Sequence, residues 1–174
     1  QTYRYPSSSS LDEGRALSLS TFTPNALVEN PYFFEGALEQ PRLAAELLCA
    51  VHVLVGSRFF IPANTLRKIL EAADPVVTSG GGVLRFEGFS MCSSAYVRVD
   101  MAPEFYDGEV VGRGTTNVDF NAPMRAALAR VRDTNGLSLR VGRAEVVVRT
   151  AETDVVEKKV PLPLRWLRGM LETQ

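Results

Sequence analysis

Between Pro41 and Gly56 the apolar residues Leu43, Leu47, Val51, Leu54 and Val55 recur three and four positions apart, the spacing that collects one face of an α-helix. Pro41 suits a first helical turn, where its missing N–H loses no partner, and Gly56 suits the stop. A shorter helix is predicted over 63–73 with Leu66, Ile69 and Leu70 inward; Asp74 before Pro75 ends it, because a residue preceding proline is pushed out of helical conformation. From Val83 the period falls to two. Leu84 and Phe86 alternate with Arg85 and Glu87, and Val97 and Val99 with Tyr96, Arg98 and Asp100, which predicts antiparallel strands with one wet face. Residues 110–120 continue as a strand interrupted at Gly112 or Gly114, and Asn121 as N-cap with Pro123 opens a helix that runs to about Asp133. Turns at Asn135-Gly136, Gly142 and 152–154 separate strands over 137–141, 145–150 and 155–160, and a closing helix starts near Leu164.

Residues 1–40 lack any such period. They are rich in Ser, Pro, Asn and Phe and read as an extended arm whose Phe22, Tyr32, Phe33 and Phe34 pack onto a neighbour. The expectation is an α+β fold: an antiparallel sheet of about six short strands packed against three to four helices, in a single domain over 41–174 with the N-terminal arm laid on it, and no internal repeat.

Composition fits that picture and trims it. With 45% hydrophobic and 22% charged residues, a chain of 174 buries a sizeable core and is neither disordered nor membrane-like. Nineteen Lys or Arg against twenty Asp or Glu leave no net field that would force binding to nucleic acid or an anionic membrane. The balance is uneven along the chain, however: residues 1–120 hold nine basic and fourteen acidic side chains, residues 121–174 ten and six, so the basic end suits a polyanion. Sixteen of the cations are arginine, whose planar fork matches carboxylate or phosphate, although genome base composition shifts the same ratio. Cys49 and Cys92 sit in apolar contexts as reduced thiols, and the sequence has no apolar run of signal-peptide or membrane-span length, so a cytoplasmic location and no membrane partner are expected. A start without Met and a helix-like end point to a longer natural product.

Chemistry is sought first on the polar strand. Alternation puts Arg113, Thr115, Asn117 and Asp119 on one face and Thr116, Val118 and Phe120 on the other, and Arg125 on the first helical turn falls near the same spot. Such a row orients a polar ligand or a phosphate; it also makes a solvated sheet face. Gly80-Gly81-Gly82 is followed by a strand and not by a helix, which favours a hairpin turn over an anion nest. Cys49 and His52, at i and i+3, with Cys92 give three metal ligands at best, short of a closed zinc site, and no cofactor is expected. Glu157-Lys158-Lys159 matches the Glu-x-Lys half of a magnesium-dependent nuclease site, with Asp133 or Glu145 as the acid it would need. His52, the one histidine, is helical and has no evident catalytic partner, so no Ser-His-Asp or Cys-His nucleophile system is expected.

Three phrases carry a family resemblance. Asp74-Pro75-Val76-Val77-Thr78-Ser79-Gly80-Gly81-Gly82, then Gly112-Arg113-Gly114-Thr115-Thr116-Asn117-Val118-Asp119-Phe120-Asn121 with Met124-Arg125-Ala126-Ala127-Leu128, then Lys159-Val160-Pro161-Leu162-Pro163-Leu164-Arg165-Trp166-Leu167 resemble the N-terminal region of bacterial SWIM zinc-finger family proteins. The likeness runs from about Tyr3 to the end. That family's zinc module, a Cys-x-Cys with a later Cys-x-His, lies C-terminal to this region, and none of its ligands is present. The resemblance implies a DNA- or protein-interaction factor, in some members beside AAA-type ATPase and von Willebrand A partners, without zinc in this chain and without an activity to carry over.

Two functions of different class follow. The first is a non-catalytic interaction module that holds nucleic acid or a protein partner through Arg113, Thr115, Asn117, Asp119 and Arg125, or through a basic helix bearing Arg125, Arg130 and Arg132. The second is an enzyme acting on a polar or phosphorylated substrate, with Asp119, Asp100 and Glu87 as metal or acid–base groups and Arg113 as anchor. The second requires those carboxylates to converge in a concavity.

Overall fold

The computed structural model describes residues 32–58 and 74–160, the backbone of 10–11, 16–18 and 162–163, and residues 166 and 169–171. The helix expected over 63–73 and Phe22 lie outside the described residues. In chain order the elements are β1 (Ser10–Leu11), β2 (Ala16–Ser18), β3 (Tyr32–Leu38), α1 (Pro41–Val55), β4 (Val76–Gly80), β5 (Val83–Phe89), β6 (Tyr96–Met101), β7 (Tyr106–Glu109), β8 (Gly114–Asn117), α2 (Ala122–Ala129), β9 (Leu137–Gly142), β10 (Glu145–Thr150), β11 (Asp154–Lys158) and β12 (Leu162–Pro163). The α+β class holds. The strands are more numerous than the sequence suggests and divide into two main antiparallel sheets, ordered β11-β10-β9-β3-β7 and β6-β5-β4-β8, with β1, β2 and β12 in a small third.

The chain path repeats. A strand, a helix and a three-strand meander occur as β3-α1-β4-β5-β6 and again as β8-α2-β9-β10-β11, and each leading strand crosses into the other half's sheet, β3 onto β9 and β8 onto β4. No repeat is visible in the sequence because the equivalent strands, Tyr-Phe-Phe-Glu-Gly-Ala-Leu and Gly-Thr-Thr-Asn, differ in length and polarity. Residues 32–38, expected in the arm, instead form an interior strand of the five-stranded sheet. A bulge between Tyr32 and Phe34 lets two successive residues face inward, leaving Phe33 2% and Phe34 0% exposed.

Both long helices start as the sequence predicts. Pro41 opens α1, and Asn121 caps α2, its Oδ1 accepting the Met124 N–H at 3.1 Å with Pro123 in the first turn. The core stripe of α1 is turned from the expected one: Ala44, Ala45, Leu48, Val51 and Val55 are buried while Leu43 is 41% exposed, because the alanines let the backbone lie close to what it covers. The α2 helix stops at Ala129, short of Asp133. There the Arg130 and Val131 N–H groups turn back to the Ala127 and Leu128 carbonyls, tightening the last turn and swinging Val131 into the core. Near the C-terminus residues 166 and 169–171 are helical, and Trp166 is fully buried against Gly88 and Phe89. Among the described residues no helix is long and apolar enough to cross a membrane.

Two glycine sites fix the joints. Gly81 and Gly82, at φ +63° and +81°, form the two-residue turn between β4 and β5, so the triple glycine is a hairpin. The break expected in 110–120 falls at Gly112, whose N–H donates to the Phe33 carbonyl at 3.1 Å; before it β7 pairs with β3, and after it β8 pairs with β4. The break is therefore where the chain changes sheet. Among the described residues the sheets meet again at an isolated bridge, Val118 with Lys159. Around it the Val118 N–H donates to Pro75, the Val160 N–H to Asn117 and the Lys159 N–H to Ala144, at 3.2, 3.2 and 2.8 Å.

Candidate functional site

Strand register sorts the four-stranded sheet into two faces. Gly88 lies so near Val55 of α1 that an added Cβ would sit 2.6 Å from its methyl, which marks the side of β5 shared by Leu84, Phe86 and Gly88, and by their partners Val77, Val97, Val99 and Met101, as the helix side. Thr116, opposite Val77, joins that side. The other side carries Thr78 with Thr115, Arg85 with Asp100, and Glu87 with Arg98. Arg113 lies there too, its Cγ 3.8 Å from the place where a Gly80 side chain would start. Arg113, Thr115 and Asn117 thus share a face as the alternation predicts.

That face extends across the sheet, which sequence spacing alone does not reveal. The Thr115 and Thr78 hydroxyls are 3.1 Å apart. Arg85 grips Asp100 through Nε at 2.8 Å and Nη2 at 3.3 Å, while Arg98 holds both oxygens of the same carboxylate through Nε at 3.0 Å. The hydrogen bonds from Arg98 and then Arg85 pull the Asp100 carboxyl down to about 2. Beside them Tyr96 donates to Glu87; burial first, and then this bond, push the phenol up to about 12.

Two residues of the expected row do other work. Asn117 is 4% exposed, and its side-chain amide donates to the Val160 carbonyl across the bridge between the sheets. Asp119 comes after the strand has ended, and its charge acts on Asp74 and Glu157. Glu157, from β11, is 5% exposed and hydrogen-bonded to Asn121; burial first, then the Asp119 charge, raise its pKa. Asp74 rises to about 7, again through burial first and then Asp119 and Glu157. His52 of α1 stacks on Phe120 with ring centroids 6.2 Å apart, and its Nδ1 is buried without a partner. Burial and the Arg125 charge depress its pKa against the pull of Asp119.

The charge acting on Glu157 is that of Asp119, not of Asp133 or Glu145: Asp133 accepts the Arg42 N–H, and Glu145 accepts the Tyr32 hydroxyl at 2.8 Å. Sequence reasoning took Asp74 for a helix stop and gave Glu157 the wrong acid. The signal available was a carboxylate at an inward position of a strand, and it becomes readable once Glu157 is registered against the buried Val146.

The carboxylates wanted by an enzyme do not converge. Asp100 lies on β6, at one edge of its sheet, and Asp119 follows β8, at the opposite edge. The three arginines of the expected basic helix separate as well. Arg125 is half-buried with Nη1 donating to the Phe120 carbonyl, whereas Arg130 and Arg132 are exposed beyond the last helical residue. Arg132 donates to the Val131 carbonyl at 3.1 Å and edges a groove of about 360 Å³ shared with Arg42, Glu46 and Cys49, where burial raises the thiol pKa. Among the described residues no three His, Cys, Asp or Glu side chains are placed to share a metal ion.

No family model and no curated protein matches the chain. Among solved structures it is similar to the DnaN sliding clamp, DNA polymerase III subunit beta, of Bartonella birtlesii bound to griselimycin, with a TM-score of 0.49 and 14% identity over 76% of this chain and 30% of that one. The same clamp of Pseudomonas aeruginosa bound to griselimycin gives a TM-score of 0.47 and 13% identity over 74% and 30%. The chain spans about 30% of the length of those clamps, and neither likeness bears on the site.

Proposed function

We propose that this chain is a non-catalytic interaction module whose open four-stranded face holds an anionic partner, nucleic acid first among them. The observation that supports this reading most is the gathering of Arg85, Arg98 and Arg113 on one sheet face against Asp100 and the Tyr96-bonded Glu87. Arginine forks held on a rigid sheet position a phosphate backbone without reading bases, so binding falls steeply with salt. Dispersal of Asp119, Asp100 and Glu87 speaks against the enzyme reading. A SWIM-type relationship, a cytoplasmic location and AAA-type ATPase or von Willebrand A partners belong to the same proposal; in it this module precedes a zinc module that the chain does not contain.

Fluorescence anisotropy with labelled single- and double-stranded DNA across a salt titration tests it. Binding should weaken with salt, and Arg98→Glu with Arg113→Glu should lower affinity at least about tenfold while the melting curve stays cooperative. Absence of binding at low salt, or equal binding by the variant, defeats the nucleic-acid reading and leaves acidic proteins as the partners to try.

A further inference from the structure

We infer that this chain forms a two-fold dimer through the open edge of the four-stranded sheet, β6 of one copy pairing antiparallel with β6 of a second about Val99. The inference does not rest on the nucleic-acid reading of the sheet face.

Among the described residues β6 is paired on one side only, with β5. The ladder sets which groups it leaves free. The Ser90 N–H donates to the Ala95 carbonyl at 2.8 Å, which makes 90 and 95 a hydrogen-bonded pair. At the β5–β6 register Val97, Val99 and Met101 therefore turn their N–H and C=O groups to β5, while Tyr96, Arg98 and Asp100 turn theirs outward. An antiparallel partner has to match these outward residues with outward residues of its own. Registers of β6 on itself centred on Arg98 or on Asp100 set like charges against each other. The register centred on Val99 sets Arg98 against Asp100 on both sides of the axis, with Val99 against Val99 and Val97 against Met101 on the helix side. Opposed ion pairs and opposed apolar pairs both strengthen a ladder, so the side chains select this register. In the single chain Arg98 turns back on its own Asp100; in the dimer the Asp100 directly opposite takes that place, and Arg85 keeps its grip. In β7, the edge strand of the other sheet, the charged residues are Asp107 and Glu109 alone, so self-pairing there gathers carboxylates.

The flank beside the β6 edge is apolar. Ala45 and Cys49 of α1 line the groove shared with Leu128 of α2, and His52 stacks on Phe120, so Leu43, Leu47, Ala50 and Leu54, half a turn away, lie on the side turned from α2. Because α2 packs on β11 and α1 on β5 and β6, that side is the one toward the β6 edge. Leu43 and Ala50 are exposed, Leu47, Leu54, Val97 and Val99 half-buried, and no charged residue lies between Glu46 and Arg58. A two-fold axis perpendicular to the sheet puts both copies of this flank on one side of the joined sheet, facing each other.

Sedimentation velocity of the whole chain from about 1 to 100 μM should show a species of twice the 19.1 kDa chain mass that grows with concentration. Arg98→Asp and Asp100→Arg each set like charges across the axis and should each lower the association constant at least about tenfold; mixing the two variants should restore it, because opposite charges then face each other. Hydrogen exchange of the wild type, which needs no variant to fold, should show the Arg98 and Asp100 amides slowed at least about fivefold at the top of that range relative to the bottom, while those of Val97 and Val99, bonded to β5, stay unchanged. A monomer throughout the range, a dimer that both variants leave intact, a mixture that fails to associate, or Arg98 and Asp100 amides that ignore concentration would overturn the proposal.

Discussion

Built on one chain path, the two halves of this protein present opposite chemistry to solvent. On the face of the four-stranded sheet turned from the helices, Arg85, Arg98 and Arg113 stand against Asp100, with Glu87 buried at 7% exposure beside Tyr96, so cations are in excess. On the corresponding face of the five-stranded sheet Arg140, Arg149 and Lys158 stand against Glu35, Asp107, Glu109, Glu145 and Asp154, so carboxylates are in excess. There Arg140 is bound to Glu35 at 2.7 Å and lies over the Tyr32 ring, and Arg149 is bound to Asp154 at 3.0 Å. The leading strands differ as much: β3 buries Phe33, Phe34 and Leu38, while β8 buries Thr116 and Asn117. Topology decides which residues become neighbours, and the side chains then decide what each half does; here the same crossing is apolar on one side and polar on the other.

Truncating the leading strands should separate the halves most. Phe34→Ala removes a fully buried ring that meets Tyr106 edge-on at 4.9 Å between centroids, and should cost about 3–5 kcal/mol. In β8, Asn117→Ala leaves the Val160 carbonyl without its side-chain donor and should cost about 1–3 kcal/mol. Urea midpoints on the two variants measure both; a larger loss for Asn117→Ala would reverse the ranking of the two crossings. A smaller change of opposite sign is expected at Thr116, which is 1% exposed with a hydroxyl lacking any hydrogen-bond partner. Thr116→Val should stabilise the protein by about 1 kcal/mol, and destabilisation would mean that the hydroxyl is satisfied after all.

The smallest effect belongs to the open face itself. Asp100 is about one-third exposed, so its ion pairs with Arg85 and Arg98 are screened, and Asp100→Asn should cost only about 0.5 kcal/mol at neutral pH and less in high salt. Because the folded carboxyl titrates near 2, below its ordinary 3.8, this contribution is present above 3.8 and lost as pH falls toward 2. Thermal melts of wild type and variant should therefore converge at the acid end.

How much of this was legible depends on the range of the interaction involved. The α1 helix, the Asn121 cap, the 81–82 turn and the alternating faces of β5 and β6 follow from residues a few positions apart, and all were readable. The role of β3 was not, because Phe33 and Phe34 lie inward together only through a bulge and in pairing with a strand more than a hundred residues away. The same limit hid the cross-strand grip of Arg85 on Asp100 and the charge interaction of Asp74 with Asp119 and Glu157. Each of these is a property of register, which alternation along a single strand does not contain.

The most direct test of the contrast between the faces is an amide chemical-shift titration of the labelled protein with a single-stranded oligonucleotide at low salt. Shifts confined to β5, β6 and β8, around Arg85, Arg98 and Arg113, are the predicted result. Shifts centred on β7, β9 and β10, or on the helices α1 and α2, would contradict the assignment of the basic sheet face as the binding surface.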